Sequence, residues 1–427
     1  MTEFIHISDV LAGGLEGKTV KLRGWAYRVR EQKDIVFVVL RDSSGIIQVA
    51  IKEPKLLKEA KKTTIESSIE LSGVVRADKR APGGWEIAAT DFKIIGLAER
   101  FPIGKDLSPE FLLDVRHLWV RSPKMCAIWK IRSTVFEAIR EYFKMKGYWE
   151  AHAPFFTKTS ESGLELFEVD YFGKKLRLSQ TWQFYAEALL AGLERIYTIA
   201  PSFRAEKSKT ARHLTEYWHA EMEAAWMDLD GLAKVCEELI SYICQKVAKE
   251  RSAELKLLGR DPKKLAAIKP PFPRITYTDA LKLLEKDGMK VVWGKDLRTP
   301  EEKQLTTHFD KPVIVMFYPK EVMAFYKPAD PKEPRVARCL DVLVPELGFE
   351  VIGGSERDLD IKAMAAALRA KGEDPKDYDW YFDTRRYGAV PHAGFGMGVD
   401  RMVQWLCGLA SIKDAIPFPR TVERYYP

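Results

Sequence analysis

Residues 18 to 96 carry five short runs rich in β-branched and aromatic residues: TVKLRGWAYRV, DIVFVVLRD, GIIQVAI, SIELSGVVRA and WEIAATDFKIIG. Turn residues separate them. Nothing else in the chain limits its fold so tightly. Strands this short gain most by closing on one another, because closure leaves no edge. A small five-stranded barrel is expected at this end. In IVFVVL both alternating sets are apolar. Val36, Val38 and Leu40 can fill a barrel, which leaves Ile35, Phe37 and Val39 on the other face. That second face is either covered or a platform on which a base stacks, and the pattern alone favours a cover.

With 427 residues the chain exceeds one ordinary core, so further domains are expected. An OB-fold is one five-stranded barrel of this size, and it binds oligonucleotides. After it, RFPIGKDLSPEFLLDVRHLWVRSP carries three prolines and reads as a linker over 101–124. Ile128, Ile131, Val135, Ile139 and Phe143 then keep helical spacing, and Gly147 can stop that helix. Beyond it, β runs and amphipathic helices mix. The expected fold class is α+β and multidomain. The barrel occupies 1–100, and 125–427 forms a larger domain on a mostly antiparallel sheet flanked by helices.

Several classes are disfavoured. No run of about 18 apolar residues is present, so no membrane partner is expected. The segment MTEFIHISDV has neither a basic stretch nor an apolar core of the secretory type. The five cysteines form no CxxC pair, and the seven histidines make no zinc pattern with them. Free thiols and a cytoplasmic location follow as expectations. The net charge of +7 permits a polyanion partner without requiring one.

TARHLTEYWHAEME crowds two histidines and three glutamates among apolar residues. Read as a strand, it places Tyr217, His219, Glu221 and Glu223 on one face and Trp218, Ala220 and Met222 on the other. One face bearing acids, an imidazole and a ring reads as a cleft wall. Upstream, FRAE sets Arg204 and Glu206 on one strand face, either a phosphate grip or a surface ion pair. HAGFGMGVDR spaces Gly394, Gly396 and Gly398 before Arg401, allowing close backbone approach, but it is neither GxGxxG nor a Walker loop. EVIGGSERD puts Glu350 before a glycine pair and Arg357, which suits Mg²⁺ bound to substrate phosphates or a plain strand exit. Arginine and carboxylate sets point to phosphate chemistry, with no order suggesting a covalent nucleophile.

Together these segments resemble the class II aminoacyl-tRNA synthetases, in the subgroup that charges aspartate, asparagine and lysine. FKMKGYWEAHAP looks like motif 1, SFRAE with RHLTEYWHAEME like motif 2, and GFGMGVDR like motif 3, in family order. The resemblance implies ATP and Mg²⁺ as cofactors, a tRNA partner and a homodimer with Pro154 at its interface. It implies that Arg204 grips the α-phosphate, Glu206 faces the adenine side, and His213 and Arg212 belong to the ATP site. Tyr217 would stack on adenine, Arg401 would hold the γ-phosphate, and Glu350 with Glu223 would hold Mg²⁺. In the barrel, Phe37 and Gln48 match the residues that read the central anticodon base, which turns the second face into a stacking platform.

Within that subgroup, the chain resembles the asparagine-charging members of archaeal and eukaryotic type. Ala186 stands where aspartate-charging relatives carry a lysine, and Glu221 where they carry an aspartate. Glu221 can accept from an amide N–H and would repel a carboxylate, while Arg357 can donate to the amide oxygen. Glu161 and Gln183 would hold the substrate ammonium, although Ser162-Gly163 replaces the family's Gly-Gly. The expected reaction joins L-asparagine to tRNA(Asn). The alternatives are an aspartyl enzyme with a relaxed pocket and a tRNA-independent asparagine synthetase.

Overall fold

The computed structural model describes residues 3–104, 107–158, 165–207 and 213–427. It divides into two compact units, Met1–Leu112 and Leu113–Pro427. In the first, the five runs become strands β1 (Thr19–Gln32), β2 (Ile35–Arg41), β3 (Ile46–Ile51), β4 (Ser68–Ala77) and β5 (Trp85–Gly96). They close in the order β1-β2-β3-β5-β4. Only β3 and β5 run parallel. Gly24 lets β1 approach β2, because a Cβ there would lie 2.2 Å from the Arg41 carbonyl oxygen. Val36, Val38 and Leu40 are fully buried in the barrel, whereas Ile35, Phe37 and Val39 are half-buried outside it. The outer face is therefore only partly covered within its own unit, short of what the alternation by itself favours.

Residues 113–124, expected as linker, pack into the second unit. Arg116 is buried there and donates to the carbonyl oxygens of Pro417 (2.8 Å), Lys413 (2.9 Å) and Ile416 (3.1 Å). A fixed guanidinium with that many acceptors belongs to a folded core, not to a tether.

The strands continue with β6 (Trp149–Glu150), β7 (Phe156–Thr157), β8 (Glu168–Tyr171), β9 (Lys174–Leu178), β10 (Arg195–Phe203) and β11 (Glu216–Ala225). After them come β12 (Arg274–Thr276), β13 (Val313–Met316), β14 (Cys339–Val344), β15 (Phe349–Glu356) and β16 (His392–Gly398). Among the described residues, β7, β9 and β8 form a small sheet, and the others an eight-stranded sheet ordered β12-β13-β14-β15-β16-β11-β10-β6. Only its marginal pairs, β12 with β13 and β10 with β6, are parallel.

Helices Pro123–Met145 and Leu229–Glu250 cover one face. Each begins at a side-chain cap: Ser122 accepts from the Met125 N–H at 3.3 Å, and Asp228 from the Gly231 N–H at 2.8 Å. Ile128, Ile131, Val135, Ile139 and Phe143 meet Ala220 and Met222 of β11 in one core. The opposite set on β11 is thereby left to the other side of the sheet, where the site lies.

Asp400, on the helix Val399–Cys407, ties this face together. It pairs with buried Arg132, and its other oxygen accepts from the Trp218 N–H at 2.7 Å. Asp400→Ala would leave the guanidinium buried and without its carboxylate. It is expected to cost about 3–5 kcal/mol, read by urea unfolding; a change under about 0.5 kcal/mol would remove this pair from the account of the fold.

Candidate active site

Two adjoining cavities open on the free face of the large sheet. One, of about 270 Å³, is lined by residues that include Gln183, Glu221, Glu223, Asp341 and Arg357. The other, of about 100 Å³, is lined by His213, Gly398, Asp400 and Arg401 among others. Arg204, Tyr217, His219, Glu350 and Gly396 line both, so the two form one cleft with two chambers. β11 supplies the wall, as its alternation requires. β16 lies beside it with Glu221 opposite Gly396 and Glu223 opposite Gly394. Glycine is needed there: a Cβ on Gly394 would lie 2.0 Å from a Glu223 oxygen, and one on Gly396 would lie 2.4 Å from His219 Nε2.

Glu221 is buried, and several donors hold its carboxylate. Thr181 Oγ1 donates to it in a short bond, the Trp182 N–H donates at 3.1 Å, and His219 Nδ1 lies at 3.3 Å. A carboxylate offers about four lone-pair sites, so capacity remains for one more donor from the cavity.

Glu223 departs from the expected metal role. Its two oxygens accept from Arg357 Nε at 2.9 Å and Nη2 at 2.8 Å, a buried bidentate pair. Burial would lower the affinity of Arg357 for its proton, but Glu223 and then Glu187 outweigh it and raise the guanidinium pKa. A carboxylate so engaged has no need of a metal. Glu187, Glu223 and His392 also cluster closely enough to surround an ion. Arg357 and Arg385 already supply positive charge to that cluster, so it does not fit a metal.

The carboxylate that does face Glu350 is Asp341 on β14. A Cβ on Gly353 would lie 2.8 Å from Glu350 Oε1 and 3.3 Å from Asp341 Oδ1, so both acids converge on one glycine. Burial, with the charges of Glu350 and Asp296 added, pushes the Asp341 carboxyl well above its ordinary range, and Lys327 opposes the shift. Two like charges at a cavity wall fit a divalent cation. Arg401 Nη1 donates to the Glu350 carbonyl oxygen at 2.9 Å, which fixes that strand against the second chamber.

The cleft thus gathers Arg204, His213, Tyr217, Gln183, Glu221, Glu223, Glu350, Arg357 and Arg401. It does not gather Glu206, which is half-buried beyond the end of β10 and absent from both linings. Glu161 and Arg212 lie outside the described residues. Pro154 is exposed. Asp341 and Thr181 are functional candidates that local sequence reading passes over, while His219 stands on the cleft wall that the alternation of β11 points to. In the barrel, Phe37 lies under Arg30 at 4.7 Å, and Gln48 Nε2 donates to Glu86 at 2.6 Å, adding Arg30 and Glu86 to that face.

The sequence pattern of the tRNA synthetases class II (D, K and N) matches residues 108–422, and that of the OB-fold nucleic acid binding domain matches residues 20–95. The chain belongs to the class II tRNA synthetases of the D, K and N group. An asparagine–tRNA ligase of Thermococcus gammatolerans is 46% identical to this synthetase over 431 residues, covering 100% of both chains. The crystal structure of asparaginyl-tRNA synthetase from Pyrococcus horikoshii complexed with asparaginyl-adenylate matches it with a TM-score of 0.96 at 44% identity, covering 100% of each chain. The Entamoeba histolytica asparaginyl-tRNA synthetase in complex with asparaginyl-adenylate matches with a TM-score of 0.91 at 31% identity, again over 100% of each chain.

The Asp341 assignment has a thermal signature. Its folded pKa lies above the unfolded value, so the folded state loses stability as pH rises from the unfolded value through the folded one. Asp341→Asn mimics the protonated form. In the metal-free synthetase it is expected to raise the melting temperature by about 2–4 °C at pH 8 and by less at pH 5. It is also expected to abolish stabilisation by added Mg²⁺. A lowered melting temperature at pH 8 would contradict the assignment.

Proposed function

We propose that this synthetase is an asparagine–tRNA ligase, which activates L-asparagine with ATP and passes it to the 3′ end of tRNA(Asn). The observation that carries the reading is the pairing of Arg357. Glu223 already balances its charge through two hydrogen bonds. Arg357 can therefore donate a hydrogen bond to a side-chain oxygen without offering a net counter-charge to a carboxylate. Glu221 adds an acceptor that suits an amide N–H and repels an acid. Ala186, buried at the place of the lysine in aspartate-charging relatives, offers no cation. Full-length likeness to asparagine–tRNA ligases supports the same choice.

Apart from that of Asp341, the roles are those that the family resemblance implies, and the cleft brings most of these residues together. Arg204 lines both chambers and grips the α-phosphate and the substrate carboxylate, whose oxygen attacks that phosphorus as the bond to the β-phosphate breaks and diphosphate leaves. Tyr217 takes the adenine ring, and His213 and Arg401 the terminal phosphates. Gln183, in the larger chamber, receives the ammonium. Asp341 and Glu350 would hold Mg²⁺, which neutralises phosphate charge when bound. The protein needs no covalent chemistry here: it aligns the carboxylate with the phosphate and offsets the charge that develops.

The barrel would take the anticodon, with Phe37 stacking on a base and Gln48 and Glu86 reading its edge. The synthetase would act as a homodimer through the segment around Pro154, where Trp149 and Phe155 are 63% and 44% exposed. Its cysteines, all free, fit a reducing cytoplasm.

ATP–pyrophosphate exchange tests the substrate. Exchange is expected to be more than about 100-fold faster with asparagine than with aspartate, and Glu221→Gln should narrow that ratio by about ten-fold. Equal or faster exchange with aspartate rejects the proposal.

A further inference from the structure

Behind the larger chamber lies a carboxylate that no role above uses. Glu187 sits on the helix Gln183–Leu193, and its side chain is 0% exposed. One turn earlier on the same helix, Gln183 donates its Nε2 to Glu187 at 2.9 Å. From another element, Arg357 Nε lies 3.9 Å from the same carboxylate. Tyr381 donates its hydroxyl to both oxygens at 2.9 Å, and Arg385 pairs with one of them. His392 Nδ1 faces the Val390 carbonyl oxygen at 2.7 Å while Nε2 faces Glu187 at 3.0 Å. Both ring nitrogens thus meet oxygen atoms. Burial alone would raise the Glu187 carboxyl pKa, but Arg385, His392 and Arg357 more than reverse it, so the group stays ionised.

An ionised carboxylate accepts only. It therefore fixes which way round the Gln183 amide lies: the NH₂ turns to Glu187, and the carbonyl oxygen becomes the acceptor end of a residue lining the cavity. An acceptor is what an ammonium requires. The same carboxylate stands beside Arg357, which lines the same cavity. We propose that Glu187 is a positioning residue for the amino-acid substrate, which orients Gln183 and seats Arg357 from one buried point while touching neither asparagine nor ATP. This rests on the asparagine–tRNA ligase reading and deepens it.

A glutamine at 187 would keep the shape but could donate to Gln183, so the amide would lose its fixed sense. In ATP–pyrophosphate exchange, Glu187→Gln is expected to raise KM for asparagine about ten- to hundred-fold while KM for ATP stays within about two-fold. Tyr381→Phe, a milder change at the same carboxylate, is expected to move KM for asparagine about three- to ten-fold in the same direction. It is the variant to read if Glu187→Gln does not fold. A purely structural role would move both KM values together or lower kcat alone, and either result overturns the proposal. Asparagine activation by the wild type with unchanged variants overturns this inference alone. Failure of the wild type to activate asparagine overturns the ligase reading and this inference with it.

Discussion

The site is organised around one buried ion pair, Arg357 with Glu223. Neither charge could remain alone in the centre of the sheet, because an uncompensated buried charge costs several kcal/mol. The pair sets conditions on its surroundings. Gly394 must be glycine, since any Cβ would meet a Glu223 oxygen at 2.0 Å. Glu187 and Arg385 extend the alternation of charge behind it. With Glu223 committed to Arg357, the convergence of Asp341 and Glu350 at Gly353 is left as the place for a cation. One contact thus divides the acids of the cleft into those that hold the protein together and those that face a ligand.

The same contact separates charge from hydrogen bonding. A lone arginine at this wall would attract any anion, and aspartate would satisfy it. A neutralised arginine still donates, but its long-range pull is largely spent on Glu223. On the proposed reading, Glu221 then tilts the balance toward a neutral side chain, and Ala186 offers no cation that would reverse it. Selectivity in this account comes as much from what is withheld as from what is offered.

How much of this was legible in the sequence depends on the range of the interactions. The barrel could be read because strand alternation is local, and so could the wall of β11, whose residues 217, 219, 221 and 223 do share one face. The glycines of β16 could be seen, though not that they clear Glu223 and His219. The partner of Glu223 was out of reach, since Arg357 lies 134 residues away and meets it only through sheet packing. Asp341 was hidden for a similar reason: in CLDVLV it reads as a polar position on a strand, and only its convergence with Glu350 across the hairpin marks it. Glu187 carried at most a faint signal, four residues after Gln183 in a stretch that folds as a helix, but the four other groups around it come from distant segments. Phe37 shows the limit of alternation itself, which tells inside from outside but not whether the outside is covered.

The central claim is that the cleft selects a neutral side chain because its arginine is already balanced. Calorimetric binding of two non-hydrolysable adenylate analogues, asparaginyl- and aspartyl-sulfamoyl adenosine, isolates that step from catalysis and from tRNA. The account predicts that the asparaginyl analogue binds more tightly by about 100-fold, roughly 2.8 kcal/mol. Equal affinities, or tighter binding of the aspartyl analogue, would contradict it.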